Sequence, residues 1–412
     1  MEKNKEVKNI LVLSSIYPAP DIQIANNTNV VHYFALEWVK QGYNVLVVHN
    51  YPVYLRVFHW IAVFASKLIA SKFNTSVTTV YQDKDVEFEM DGVKVIRMPL
   101  YKPFPRFGIS SKVMKMQVKK IANWCKKNGF TPDVITSHNF YPHTEMVNML
   151  KNEYFSKVTT CVVVHKQEKR MFSFMKDDFH SQLKKVDVIG YRSIPLKREF
   201  EEYTGYVPKR QFMCYSGIPA HFLNRKKYCN VNKPITHFVY VGSFIQRKYP
   251  EKLLLAIKEC GMQSFHIDYV GDGANRPIIE RIVKENRWED KVTLHGFVKR
   301  EEVPNFLEKA QCFIMISEEE TFGLVYLEAM SMGCITIASR NEGMEGIIQD
   351  GINGFLCKAG DENELAQILD KINGLPQNTL DSISQHAIET ARRLTDSKVA
   401  EDYLKHIINV NR

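Results

Sequence analysis

Apolar runs of strand length alternate with helix-length segments along almost the whole chain, and this alternation constrains the fold more than any other feature. One series comprises residues 10–13, 45–48, 93–96, 134–136, 158–164 and 186–189, each followed by a loop and usually by a helical pattern. Neighbouring parallel strands need a crossover between them, so the pattern implies a parallel sheet. After the polar segment 224–234, which holds Asn-Arg-Lys-Lys and Asn-Lys-Pro, a second series follows at 238–241, 265–270, 292–294, 312–316, 335–338 and 355–357. At 412 residues the chain exceeds what one core usually organises. The expected fold class is therefore α/β, with two doubly wound domains at 1–223 and 224–393 and a helix at about 394–412 packing back on the first.

Apolar residues make up 45% and charged residues 25% of the chain, values of an ordinary folded protein. The net charge of +9 is uneven: 31 Lys and Arg face 19 Asp and Glu in residues 1–215, against 24 and 27 in 216–412. A basic half attracts nucleic acid, an anionic membrane or an acidic substrate. No compact Arg-rich stripe with interleaved aromatics accompanies it, so no nucleic-acid partner is expected. The eight cysteines form no C-x-x-C pair and several lie inside apolar runs, as buried reduced thiols do. The first residues, MEKNKEVKNILVLSS, carry too short an apolar stretch for a signal peptide and read as a first strand. With no run of about 18 apolar residues, no spanning helix is expected. The expected location is cytoplasmic, with peripheral contact at the inner membrane face as an extension.

That extension rests on residues 54–73, YLRVFHWIAVFASKLIASKF, the most apolar and aromatic helix-like stretch of the first half. Arg56, Lys67 and Lys72 punctuate it, and a following helix pattern at 110–127 adds Lys112, Lys115, Lys119, Lys120, Lys126 and Lys127. Two readings stand side by side: a helix lying on an anionic bilayer surface, or a buried helix beside a solvated basic face.

The sharpest local motif is EETFGLVYLE at 319–328, in which Glu320 and Glu328 flank Thr321, Phe322, Gly323 and Leu324 where a strand run gives way to an apolar helix. Ligands of open α/β sheets bind at such carboxyl edges, and the first N–H groups of a helix receive phosphate or sugar oxygens. Upstream, YVGSFIQRKYPEKLL places Gly242 and Ser243 before the cations Arg247 and Lys248. HIDYVGDGANRP sets Gly271 and Gly273 in a strand-to-helix turn, and VTLHGFVKREEV carries His295, Gly296 and Phe297.

Together these segments, from about 240 to 365, resemble the retaining glycosyltransferases of family 4, which have the GT-B architecture of two facing Rossmann-like domains with a cleft between them. The resemblance implies a nucleotide-diphosphate sugar donor, most often a UDP-sugar. Arg247 and Lys248 would hold the diphosphate, Glu320 would contact the donor sugar near its reacting face, and Phe322 and Gly323 would offer main-chain N–H groups. Glu328 would accept hydrogen bonds from ribose hydroxyls. Gly271 and Gly273 would lie near base and diphosphate, His295 and Phe297 would line the nucleobase pocket, and Gly343 would approach the ligand within a segment whose helix starts near Glu345. The family often has Arg where this chain has Ser243.

In the first half the resemblance implies a donor-closing loop after the first strand, where Asn26, Asn27 and Thr28 replace the family's glycines. His138 and His165, each after an apolar run, are candidates to meet a sugar hydroxyl or to be structural; Lys166, Lys169 and Arg170 are candidates for an acceptor phosphate. Asp83-Lys84-Asp85 has the form of a D-x-D metal motif, but it lies in a polar segment before a hairpin pattern rather than after a buried strand. No metal and no other cofactor is expected, with cations and helix N-termini replacing the ion.

The expected activity is retaining transfer of a sugar to a hydroxyl of a glycan or a polyprenyl-diphosphate-linked acceptor, in bacterial capsule, exopolysaccharide or lipopolysaccharide synthesis. The alternatives are a sugar-nucleotide epimerase of the same architecture and a catalytically silent sugar-nucleotide-binding subunit.

Overall fold

A computed structural model describes residues 8–22, 28–73, 80–102, 107–165, 179–224 and 231–408, with 66–73 as main chain only. Contacts divide the chain into two units. One is built from residues up to Arg192 with Leu196–Cys214 and the stretch from Val399 onward; the other is built from Ser193–Pro195 and Tyr215–Lys398.

The strands of the first unit are β1 (Asn9–Ser14), β2 (Asn44–Val53), β3 (Val86–Met90), β4 (Val93–Tyr101), β5 (Val134–His138), β6 (Thr159–Val164), β7 (Val188–Tyr191) and β8 (Gln211–Met213). Their order is β3-β4-β2-β1-β5-β6-β7-β8, parallel throughout except for the β3–β4 hairpin. Strands buried on both faces need apolar residues at every position, and β1 and β6 meet that demand with LVL and CVVV. The order reverses between β1 and β5, so the carboxyl ends of these two strands mark this sheet's crevice.

The second unit has β9 (His237–Val241), β10 (His266–Val270), β11 (Val292–Gly296), β12 (Cys312–Ile314), β13 (Ile335–Ser339) and β14 (Phe355–Cys357), in the order β11-β10-β9-β12-β13-β14 and all parallel. Its reversal falls between β9 and β12. The two loops at that point are the segments after Val241 and after Ile314, which carry the basic pair and the paired glutamates.

The sequence-based boundary at 223/224 shifts to 214/215, because the segment after Cys214 is hydrogen-bonded into the second unit. Ile218 N–H donates to Leu394 O and Asp396 N–H to Ile218 O, at 3.0 and 2.9 Å. The final helix, Asp396–Ile408, has its later residues in the first unit. There Trp38 Nε1 donates to Ala400 O at 3.0 Å, and the Tyr403 ring packs edge-on against Phe34 and Trp38.

The helix Ser111–Lys127 follows its sequence pattern: Ser110 caps it, Met114, Val118, Ile121 and Cys125 point inward, and lysines 112, 115, 119, 126 and 127 point outward. The helix Arg56–Phe73 does not behave as a buried helix over its described side chains. His59 and Ala62 face the protein, while Trp60 and Phe64 are 66% and 77% exposed, with Leu55, Val57, Ile61 and Val63 also outward. No helix start occurs near Glu345. Residues 344–354 form turns and isolated bridges. The Asn353 side chain accepts from Gln349 N–H and donates to Ile347 O, offering the main chain local partners in place of a helical ladder.

The seven described cysteines are free thiols, buried except for half-buried Cys260. Among the described residues no helix is long and apolar enough to cross a membrane.

Candidate functional site

Three loops of the second unit converge at the β9/β12 reversal. After β9, the chain turns through Gly242 and Ser243 into a single 3₁₀ turn, Gln246–Lys248, which Tyr249 ends in a left-handed conformation at φ +47°. After β12, residues 317–323 lead into the helix Leu324–Ser331. The two loops are stitched together. Glu318 N–H donates to Arg247 O at 2.7 Å, Tyr249 Oη donates to Glu318 Oε2 at 2.7 Å, and Arg247 Nη1 reaches the Glu318 and Glu319 carbonyls at 3.5 and 3.4 Å. Arg247 and Lys248 are thereby fixed by main chain rather than left as mobile surface cations.

Lys248 Nζ lies 3.4 Å from Glu320 Oε2, with both side chains largely shielded at 17% and 15% exposure. Glu320 Oε2 makes this ion-pair contact without a hydrogen bond, the approach being too long or poorly aligned. Glu320 N–H donates to Glu342 Oε2 at 2.7 Å, which ties the loop to the segment after β13.

Gly323 sits at the helix N-cap with φ +86°, and no side chain caps that end. A Cβ there would lie 2.4 Å from the Tyr326 ring. The Tyr326 hydroxyl donates to Met315 O at 2.7 Å, so the strand end and the first helical turn are one fixed piece. A helix end without a side-chain cap directs its first N–H groups outward as donors for a phosphate or sugar oxygen.

Glu328, the second member of the pair, is 4% exposed, and its Oε1 accepts from Arg300 Nη2 at 2.8 Å and Nε at 3.2 Å. Arg300 had no sequence signal, since it stands in a charged stretch, KREE, that looks like solvated surface. Glu342 was missed for the same reason.

Several expected ligand contacts acquire structural reasons instead. A Cβ on Gly271 would lie 2.0 Å from Gly242 O, and one on Gly273 would lie 2.5 Å from Phe244 O. Their loops cross backbone to backbone, with Phe244 N–H donating to Asp272 O at 2.9 Å. Gly343 passes the Phe322 main chain so closely that a Cβ would meet its N and Cα at 2.5 Å, next to Glu342, which accepts from Glu320 N–H. His295 Nε2 is engaged with Asp268 Oδ1 at 2.6 Å and its ring packs on Phe306, whereas Phe297 is 79% exposed and open as a stacking surface. Ser243 is exposed, and Thr321 and Leu324 are half-buried on the same loop and helix start.

In the first unit His138 is corrected from a sugar contact to a core residue. It closes β5 at the β1/β5 reversal, yet it has no exposure, stacking on Phe34 while Nδ1 meets His165 Nε2 at 3.0 Å. Burial, with the nearby His165 and Arg192, holds its imidazole neutral, well below its usual titration. His165 stays half-buried at the end of β6. Thr28 Oγ1 accepts from Val30 N–H at 3.4 Å. Asn26, Asn27, Lys166, Lys169 and Arg170 lie outside the described residues. Asp85 pairs with Lys120 at 2.5 Å beside the β3–β4 hairpin.

Residues 224–391 match the family model for glycosyl transferases group 1. A protein of the cps region of Klebsiella pneumoniae, 41.2 kDa and uncharacterized, is 32% identical over 151 residues, 36% of this chain and 40% of that one. An uncharacterized glycosyltransferase of Methanocaldococcus jannaschii is 26% identical over 70% of this chain and 81% of its own length. The solved structure of Anabaena HepE in complex with UDP superposes with a TM-score of 0.67 at 15% identity, covering 97% of this chain and 99% of that one, a likeness of fold. The sheet reversal, the stitched basic turn and the glutamate-bearing helix start all lie inside residues 224–391, so the likeness to the glycosyl transferases group 1 model is that of the second unit, where these features stand together.

Proposed function

We propose that the protein is a retaining, metal-independent glycosyltransferase that moves a sugar from a UDP-sugar to a hydroxyl of a glycan or lipid-linked oligosaccharide in bacterial surface polysaccharide synthesis. The observation that carries this reading is the approach of Lys248 to Glu320, 3.4 Å apart beside an uncapped helix end at the sheet reversal. A departing nucleoside diphosphate gains negative charge as the glycosidic bond breaks, and cations already fixed in place stabilise that charge without reorganisation. Arg247 and Lys248 supply the cations, and the first N–H groups of the helix Leu324–Ser331 supply oriented donors. Glu320 accepts from sugar hydroxyls, and Glu328, steadied by Arg300, accepts from the ribose. Same-face attack lets the leaving phosphate oxygen take the acceptor proton, so no separate base is needed. UDP in the HepE structure and the cps-region relative support the donor and the pathway.

The outward apolar face of the helix Arg56–Phe73, on the same unit as the lysine-rich helix Ser111–Lys127, supports peripheral contact with an anionic bilayer where a lipid-linked acceptor resides. The test is a panel of UDP-, GDP- and ADP-sugars with lipid-linked acceptors presented in anionic vesicles. Transfer from a UDP-sugar, lost in Glu320→Ala with Lys248→Ala, supports the reading. A new sugar nucleotide made without acceptor shows an epimerase, and donor binding with neither transfer nor hydrolysis shows a silent subunit.

A further inference from the structure

Away from the donor loops, the second unit gathers three histidines around one buried carboxylate. Side chains two apart on a strand share a face, so His266 and Asp268 of β10 point the same way. Register brings two more to that face: His237 of β9 pairs with His266, and His295 of β11 stands two residues beyond Thr293, the partner of Asp268. Asp268 is 7% exposed. Its Oδ2 meets His237 Nε2 at 2.7 Å, while its Oδ1 meets His295 Nε2 at 2.6 Å and His266 Nε2 at 3.4 Å. The ligand atoms of His237, His266 and Asp268 all lie within 4.8 Å of one another, and the two rings stand 76° apart with centroids 5.1 Å apart.

We infer that His237, His266 and Asp268 form a binding site for a divalent transition-metal ion of the zinc class. Two imidazoles and one carboxylate are the ligand set that such ions prefer, with a fourth position left for water. Bonds of about 2.1 Å in tetrahedral geometry put ligand atoms about 3.4 Å apart. His266 Nε2 already stands at that distance from Oδ1, and His237 Nε2 reaches it by withdrawing from Oδ2 by under an ångström as the ion enters beside the carboxylate. His295 holds Oδ1 and orients the carboxylate from behind, as the outer partners of metal ligands do. His266, 41% exposed, provides the path from solvent.

This site is distinct from the proposed diphosphate site. His237 and His266 are the first residues of their strands, while Gly242 and Gly271 follow the carboxyl ends, about 16 Å further along at about 3.3 Å per residue. It also does not depend on the glycosyltransferase reading, and it gives the ion a structural or regulatory place rather than a role on the diphosphate.

Tag-free full-length protein, stripped with chelator and desalted, is titrated with Co²⁺ and followed by visible d–d absorption, with Zn²⁺ affinity read by competition against a chromogenic chelator. One equivalent of Co²⁺ should bind with the intense bands of four- or five-coordination, Zn²⁺ should displace it, and Zn²⁺ should raise the melting temperature. His266→Ala and His237→Gln should each weaken binding about tenfold or more, and His295→Ala should weaken it by about ten- to a hundredfold as an outer partner. Circular dichroism keeps a misfolded variant from counting, and the exposed His266 is the substitution the fold tolerates best. Absence of stoichiometric Co²⁺ binding, or binding unchanged in both His266→Ala and His237→Gln, overturns the proposal.

Discussion

Replacing Lys248 by Met keeps the length of the side chain, and the neighbouring Met315 Sδ, 3.9 Å from Nζ, is an apolar wall that accepts it. What is lost is charge. At 3.4 Å and an effective dielectric of about 20, the Lys248–Glu320 attraction is about 5 kcal/mol before the cost of desolvating both groups. That cost offsets most of the gain, so the pair as a unit contributes little to stability. Removing one partner is different. Glu320 then keeps a shielded carboxylate whose Oε2 has neither ion pair nor hydrogen bond. Breaking a fully buried pair costs about 3–5 kcal/mol; with 15–17% exposure remaining on the two side chains, the expected loss is about 2–3 kcal/mol. Adding Glu320→Gln removes the stranded charge and should recover all but about 1 kcal/mol. Turnover should not recover with stability: both the single and the double variant should release UDP from a UDP-sugar about 10²–10³-fold more slowly, because the leaving group has lost its cation. Native-state hydrogen exchange of the Leu324–Ser331 amides reads the first quantity locally, and coupled UDP detection reads the second. A Lys248→Met protein with unchanged exchange and unchanged turnover refutes the reasoning, as does a double variant that regains turnover.

Other consequences are equally direct. Gly343→Ala drives a Cβ into the Phe322 main chain and should cost about 1–3 kcal/mol while weakening UDP binding in calorimetry, because Glu342 and the Glu320 amide are displaced together. His49 and His143 have no exposure, and burial lowers their titration to about 3 and about 4. Unfolded imidazoles titrate near 6.5, so the unfolded chain binds more protons below that pH; stability is full above it and should fall by about 2 kcal/mol per histidine by about pH 5, a slope that His143→Gln should reduce in denaturant titrations. Glutamate at Trp60 and Phe64, both outward, should leave the melting temperature unchanged and abolish sedimentation with anionic vesicles, whereas equal sedimentation of wild type and variant removes the membrane reading.

Most of the architecture was legible because parallel strands buried on both faces must be apolar throughout. Runs such as those of β1, β6 and β13 announce themselves, and the hairpin before β4 was readable from Asp91 and Gly92 between alternating segments. Short β8 escaped because three residues in a polar stretch carry no periodicity. The helix expected near Glu345 failed because side-chain bonds of Asn353 and the left-handed Gly346 outcompete a helical ladder. Around the β9/β12 reversal, the charged residues of the two motifs were visible in order along the chain: Arg247, Lys248, Glu320 and Glu328. Their fastenings were not, since Arg300 and Glu342 act through partners 28 and 22 residues away and look like any surface charge. His138 shows the opposite error. A strand-end histidine at a sheet reversal has the right address, but Phe34 and the returning helix with Tyr403 cover it, and nothing local in the sequence reports that cover.

The central claim is that the basic turn and the glutamate-bearing helix start hold one activated-sugar ligand, and a crystal structure of the full chain with UDP tests it most directly. Diphosphate oxygens should lie about 3 Å from Lys248 Nζ and from the first amides of the helix Leu324–Ser331, with ribose hydroxyls on Glu328. UDP bound elsewhere, with Lys248 still closed on Glu320 and Glu328 away from the ribose, contradicts it.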